Sequence, residues 1–202
     1  MQIFLETDRL ILRRFTEQDV DNLFDLDSDP DVMRMVSGGP GTPREVIAND
    51  HIPHYLTYYE RFAGYGFWAV IERSSGDFLG WFHLRPMSDD PLDDPELGYR
   101  FKRSAWGKGY ATEGSQALVD KAFTELGTQR VTALTYSEHV ASRRVMEKVG
   151  MRLVRRYKPT PEELLEYLGV TDPSLFPEDD VEYAITRQEW EALRQSQASL
   201  RI

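Results

Sequence analysis

Between residues 96 and 126 the chain passes from a strand-like stretch, ELGYRF, through WGKGYATEG into a long helical pattern. No other feature narrows the fold as much. Two glycines around a lysine (Gly107, Lys108, Gly109) open a helix and leave free backbone N–H groups at the positive end of its dipole. Such a turn suits an anion. A Walker A loop needs four residues between its glycines and then Lys-Ser/Thr, and the dinucleotide fingerprint needs G-x-G-x-x-G after an early strand. Here the pattern is G-x-G-x-A, late in the chain and after strands of antiparallel character. On the glycines alone, a tight strand-to-helix turn without a ligand is the other reading.

The remaining elements place this turn in a mixed α/β order. RLILRRF (9–15) reads as a strand, and the next helix has Thr16 as N-cap with Asp19 at capping-box spacing. SDPDVMRMV predicts a short helical turn, SGGPGTP a loop, and residues 44–64 a helix. GFWAVIE and FLGWFHLRP, joined by RSSGD, form a hairpin signal. After the 111–126 helix come a strand (130–137), a helix closed by Gly150, and a strand (151–157). The last strand, VEYAITR, leads into a helix opened by Thr186 and Glu189. Residues 160–170 predict a small amphipathic helix inside an insertion, 158–178. With no repeat or low-complexity linker, residues 1–202 read as a single domain.

Composition removes several classes. The 202 residues contain no cysteine, which rules out disulfides, zinc–thiolate sites and a cysteine nucleophile. No apolar run approaches the roughly 20 residues of a membrane helix, and MQIFLETDRL has no signal-peptide pattern, so a cytoplasmic protein is expected. A formal charge of −10 disfavours nucleic acid and anionic membranes as partners.

ELGYRF, WGKGYATEGSQALVDKAF and HVASRRVMEKVGMRL together resemble the GNAT superfamily of N-acetyltransferases, and specifically its branch of ribosomal-protein N-terminal acetylases. ETDRLILRRFTEQDV, the hairpin and VEYAITRQEW extend the resemblance over nearly the whole chain outside the insertion. It implies a mixed, mostly antiparallel sheet of about seven strands flanked by helices, with a V-shaped splay between the fourth and fifth. It also implies acetyl-CoA as co-substrate, no metal, direct attack by an amine in a ternary complex, and a monomer or homodimer. The acceptor would be a small-molecule amine or a protein N-terminus.

By the same resemblance, the backbone of Trp106, Gly107, Lys108, Gly109, Tyr110, Ala111 and Thr112 cradles the pyrophosphate of coenzyme A. Trp106 stands where Gln or Arg is usual, and Ala111 replaces a final glycine. Backbone groups of Tyr99, Arg100 and Phe101 would hold the pantetheine arm and polarise the thioester. His139 stands where the family more often has Asn, and Ser142 matches a position that protonates or hydrogen-bonds the departing thiolate.

The reaction requires a neutral amine, whereas a lysine-type ammonium titrates at about 10.4 and an α-amino group at about 8. A carboxylate can take the proton directly or through water. Glu96 is the first candidate and Glu182 the second. His51 and His54, three apart on one helix, read as a surface or groove pair rather than metal ligands. The acidic run SDDPLDDPE reads as a solvated loop, and Leu164, Leu165 and Leu168 of the insertion as a cap on the acceptor pocket or a subunit contact. The alternative function is a non-catalytic coenzyme A-binding sensor or regulator, which would bind the donor without forming an acetylated product.

Overall fold

Nearly every residue of β3 (Gly66–Glu72) and β4 (Phe78–Pro86) is buried, because helices cover both faces of the sheet at its centre. This is why the two segments read as almost unbroken apolar runs. The computed structural model describes residues 2–34, 36, 41–87, 94–160 and 179–199. Its sheet also contains β1 (Ile3–Glu6), β2 (Leu10–Arg14), β5 (Pro95–Phe101), β6 (Arg130–Tyr136), β7 (Arg152–Tyr157) and β8 (Asp180–Thr186). The eight strands lie in the order β1-β2-β3-β4-β5-β6-β8-β7. All neighbours are antiparallel except β5 and β6. The mixed, mostly antiparallel sheet expected from sequence is therefore present, with one further strand. That strand, β1, is a four-residue hairpin arm whose short pattern carries little signal.

On one face lie α1 (Val20–Asp27), α2 (Pro30–Met33), α3 (Arg44–Val46) and α4 (Ile52–Arg61). The helix expected over 44–64 runs through α3 and α4, joined by a π-helical turn at Ile47–His51. Leu23, Leu26, Ile47, Ile52 and Tyr55 pack there on Phe67, Ala69 and Trp81. On the other face, α5 (Tyr110–Thr124), α6 (Val140–Lys148) and α7 (Arg187–Ser199) meet the sheet. Leu118, Phe123 and Met146 pack there with Phe82, Leu97 and Tyr183, and Trp190 closes the layer.

Two capping boxes read from sequence form as expected. The Asp19 carboxylate accepts from Thr16 N at 2.9 Å, and Glu189 accepts from Thr186 N at 3.0 Å and Oγ1 at 2.9 Å. The helix expected over 160–170, with Leu164, Leu165 and Leu168, lies outside the described residues, as does most of the 158–178 insertion. Residues 88–93 of the acidic run do too.

Strand alternation sorts the chemistry. Leu97, Tyr99 and Phe101 of β5 face α5 and α6. Glu96 and Arg100 face the opposite side, beside Arg85 of β4 and Asp27 of α1 respectively.

Candidate functional site

The parallel contact between β5 and β6 is confined to Glu96 opposite Thr132. By contrast, β5 stays in register with β4 from Pro95 to Phe101, and β6 with β8 from Arg130 to Tyr136. The two strands therefore part after Glu96; they are the expected fourth and fifth strands once the additional β1 is set aside. Beyond Leu97, the β6-side edge of β5 has no strand partner among the described residues. Such an edge can take an extended amide-bearing chain as an added strand.

Past the Phe101 end of β5 stands the turn with two glycines, tied back to Phe101 O by the Trp106 indole. Gly107 and Gly109 have φ of 72° and 84°, left-handed values that other residues adopt at a cost. Gly109 is the N-cap of α5 and supplies no side-chain cap. The first helical bond runs from Glu113 N to Gly109 O, so the amides of the preceding turn have no intrahelical acceptor. A Cβ at Gly107 would meet no described residue within 4 Å, so nothing described crowds it. Glycine is needed at these positions for the backbone conformation, not for packing against another part of the chain.

Other side chains brace the turn from behind. Arg9 Nη1 donates to Lys108 O at 2.9 Å, and Arg9 pairs with Glu113 at 2.6 Å. Burial would raise the Glu113 carboxyl, but bonds from Thr7 and from the Arg9 amide and guanidinium hold it below its ordinary value. The Tyr110 ring is buried and bonds to Glu72, leaving its backbone as the part that faces the turn. Trp106 is 46% exposed, and its indole N–H already donates to Phe101 O at 2.9 Å. Lys108 is exposed, as an anion site requires.

On the α6 side of the splay, three residues separated in sequence meet. Tyr99 Oη lies 3.0 Å from Ser142 Oγ and donates to Ser142 O at 3.2 Å. Burial pushes the Tyr99 phenol up to about 12. His139 is the N-cap of α6 and accepts from Ser142 N through Nδ1 at 3.4 Å. Burial holds its imidazole below 6.5, in the neutral form that can accept. His139 thus caps the helix as an Asn would. Arg100 points the other way, to Asp27 at 2.5 Å and over Trp81, and Phe101 is core.

Both glutamates lie on the face opposite α5. Glu96 Oε2 accepts from Arg85 Nε at 3.1 Å and Nη2 at 2.9 Å, with His83 Nε2 at 3.5 Å. Burial works against its charge, yet His83 and Arg85 hold the carboxyl at about 2. Because burial also keeps His83 below its ordinary value, Arg85 supplies the larger share near neutrality. Glu182 accepts from Arg130 at 2.7 Å and Arg155 at 2.6 Å. Burial raises its carboxyl, but the two guanidinium groups outweigh that and lower it. Arg130 also holds Asp94, which accepts from Thr132 Oγ1 at 2.8 Å. These side chains line an open cavity of about 250 Å³ that reaches Thr132, opposite Glu96.

Sequence reading missed His83, Arg85, Asp94 and Arg130. The signal for the first two was alternation in FLGWFHLRP, which puts Trp81, His83 and Arg85 on one face of the strand. His51 and His54 sit among Tyr55, Tyr58 and Phe67, and burial lowers both imidazoles.

Residues 9–152 match the family profile described as "Acetyltransferase (GNAT) domain". FsC-acetyl coenzyme A-N(2)-transacetylase of Aspergillus fumigatus is 34% identical over 194 residues, covering 92% of this chain and 77% of that protein. A solved GNAT-family acetyltransferase from Bacillus anthracis superposes with a TM-score of 0.71 at 26% identity, over 93% of this chain and 99% of its own. RimL, described as a ribosomal L7/L12 alpha-N-protein acetyltransferase in complex with coenzyme A, shares the fold with a TM-score of 0.72 at 20% identity, over 92% and 98% of the two chains.

Proposed function

The chain belongs to the GNAT acetyltransferases, which use acetyl-CoA, and from that premise we propose that its single domain transfers an acetyl group to a primary amine by direct attack in a ternary complex. The parting of β5 and β6 after Glu96, with the uncapped start of α5 following the Phe101 end of β5, carries this reading. The amides from Gly107 to Thr112 and the exposed Lys108 suit a diphosphate, and the open edge of β5 suits an amide-bearing arm. When bound, acetyl-CoA supplies an activated acyl carbon whose leaving group is a thiolate.

The chain's own residues then divide the work. Backbone groups of Tyr99, Arg100 and Phe101 orient the arm and polarise the carbonyl. The hydroxyl pair of Tyr99 and Ser142 supplies a proton or hydrogen bond to the departing sulfur. Glu96 meets the amine from the opposite face of the sheet. Both arginine bonds fall on Oε2, while Oε1 has no hydrogen bond from a described residue and is not sealed from solvent. Glu182, held between two arginines, shapes the cavity rather than taking a proton.

That cavity supports a small or peptide-like acceptor over a polyamine. Its carboxylates, Asp94 and Glu182, already have guanidinium partners, whereas a polycation is best met by unneutralised carboxylates. A mass-spectrometric screen tests the reading. Protein and acetyl-CoA are given peptides with varied N-termini, amino acids, aminoglycosides and polyamines, beside a no-enzyme control. An acceptor gaining one acetyl group supports transferase activity and identifies the class. Stabilisation by coenzyme A with no acetylated amine favours the sensor reading.

A further inference from the structure

His83 is the one described residue whose side-chain polar atoms, Nδ1 and Nε2, are both buried and both without a hydrogen bond. Its side chain is 9% exposed. An imidazole in that condition costs stability unless its position serves another purpose. Its position is specific. His83 pairs with Gly98, two residues beyond the last contact of β5 with β6. A Cβ at residue 98 would lie 2.3 Å from Nε2, so the ring rests directly on the β5 backbone and only glycine permits it there. Trp81 stacks on the ring at 5.6 Å, and the Phe67 edge lies 5.2 Å away.

Resting on the acetyltransferase reading, we propose that His83 is the proton sink of the reaction, receiving through Glu96 the proton that the amine nitrogen sheds at the mouth of the splay. Glu96 is built as a two-ended relay. Oε1 takes no hydrogen bond from a described residue and is free to meet the amine, while Oε2 is pinned by Arg85 and lies 3.5 Å from His83 Nε2. Arg85 fixes the carboxylate but cannot accept a proton. With its own proton on Nδ1, the His83 ring presents Nε2 as the acceptor.

The step balances. The neutral amine attacks the thioester carbonyl carbon, the C–N bond forms, the C–S bond breaks, and the electron pair leaves on sulfur. Nitrogen loses one proton to Glu96, which passes one to His83 Nε2, and after the acetylated amine leaves the imidazolium returns it to solvent back through Glu96. Sulfur takes one proton from the Ser142 and Tyr99 hydroxyl pair, which solvent restores. The charged groups facing His83 are Glu96 and Arg100 from β5 and Arg85 from β4. His54 and Tyr58 of α4 pack on the intervening Phe67 ring. Burial, the largest influence, holds His83 below 6.5, so it is neutral and able to accept near pH 7.

The test is the kcat–pH profile of wild type and His83→Gln with the best acceptor from the screen. Wild-type kcat should fall on an acid limb below 6.5, where His83 gains a proton. In His83→Gln, kcat should drop about 100-fold and the limb disappear, with KM for acetyl-CoA unchanged within about twofold. A variant as fast as wild type, or a slower one that keeps the limb, overturns the proposal. If the variant does not fold, an NMR titration of the wild-type imidazoles decides. A His83 midpoint below 6.5 that falls further in Glu96→Gln supports the relay, and a midpoint above 7 or indifferent to Glu96 overturns it. Failure of the wild type to acetylate any amine would instead count against the acetyltransferase reading.

Discussion

The two sides of the splay are built on opposite principles. On the α5 side, the anion-binding candidate is almost all backbone: left-handed glycines, an uncapped helix start and exposed neighbours. On the α4 side, the chemistry lies in side chains from separate elements, neutralised in pairs whose carboxylates are buried: Arg85 with Glu96, Arg100 with Asp27, Arg130 with Glu182. Open backbone donors wait for an external anion at little cost to the free protein. Buried pairs instead make stability depend on each partner, because removing one strands the other.

The largest expected effect follows from that contrast. Glu96→Gln leaves the partly buried Arg85 without its anion and should destabilise the protein by about 3–5 kcal/mol, read by urea unfolding. The sign with pH agrees. A carboxyl held at about 2 against an ordinary 4.5 contributes its stability above 4.5, and loses it as pH falls toward 2. A loss under about 1 kcal/mol would mean the pair behaves like a surface contact, and the contrast would break.

On the donor side, Gly109→Trp should cost only about 1–2 kcal/mol of stability, from the positive φ, yet weaken coenzyme A binding at least tenfold. Unchanged affinity in a folded variant, measured by calorimetry, would remove the turn from the donor site. The smallest effect belongs to the brace. Arg9 is about half exposed, so Arg9→Ala should cost about 1 kcal/mol or less while loosening the turn it holds through Lys108 O.

The same contrast explains what was legible in the sequence. The turn at 106–112 could be read because glycine spacing and a helix start are local, and each constrains its own backbone. The meeting of Tyr99 with Ser142, 43 residues apart, was not read: the family resemblance assigned each to the donor site but not to the other. The Arg85, Glu96 and His83 cluster was not read, although β4 and β5 were both expected as strands. Finding it requires the register that sets His83 opposite Gly98 and Arg85 opposite Glu96, and no local pattern specifies that register. Glu182 was picked out as a possible base from its strand. That it sits between Arg130 and Arg155 depends on β8 lying between β6 and β7, a sheet order that local sequence does not encode.

The measurement that tests the division most directly is an NMR titration of the full chain with coenzyme A, following the backbone amides. The account predicts the largest shifts at Gly107 to Thr112 and along β5 from Gly98 to Phe101, with little change around Asp94, Arg130 and Glu182. Shifts centred on that cavity, with the turn unmoved, would contradict it.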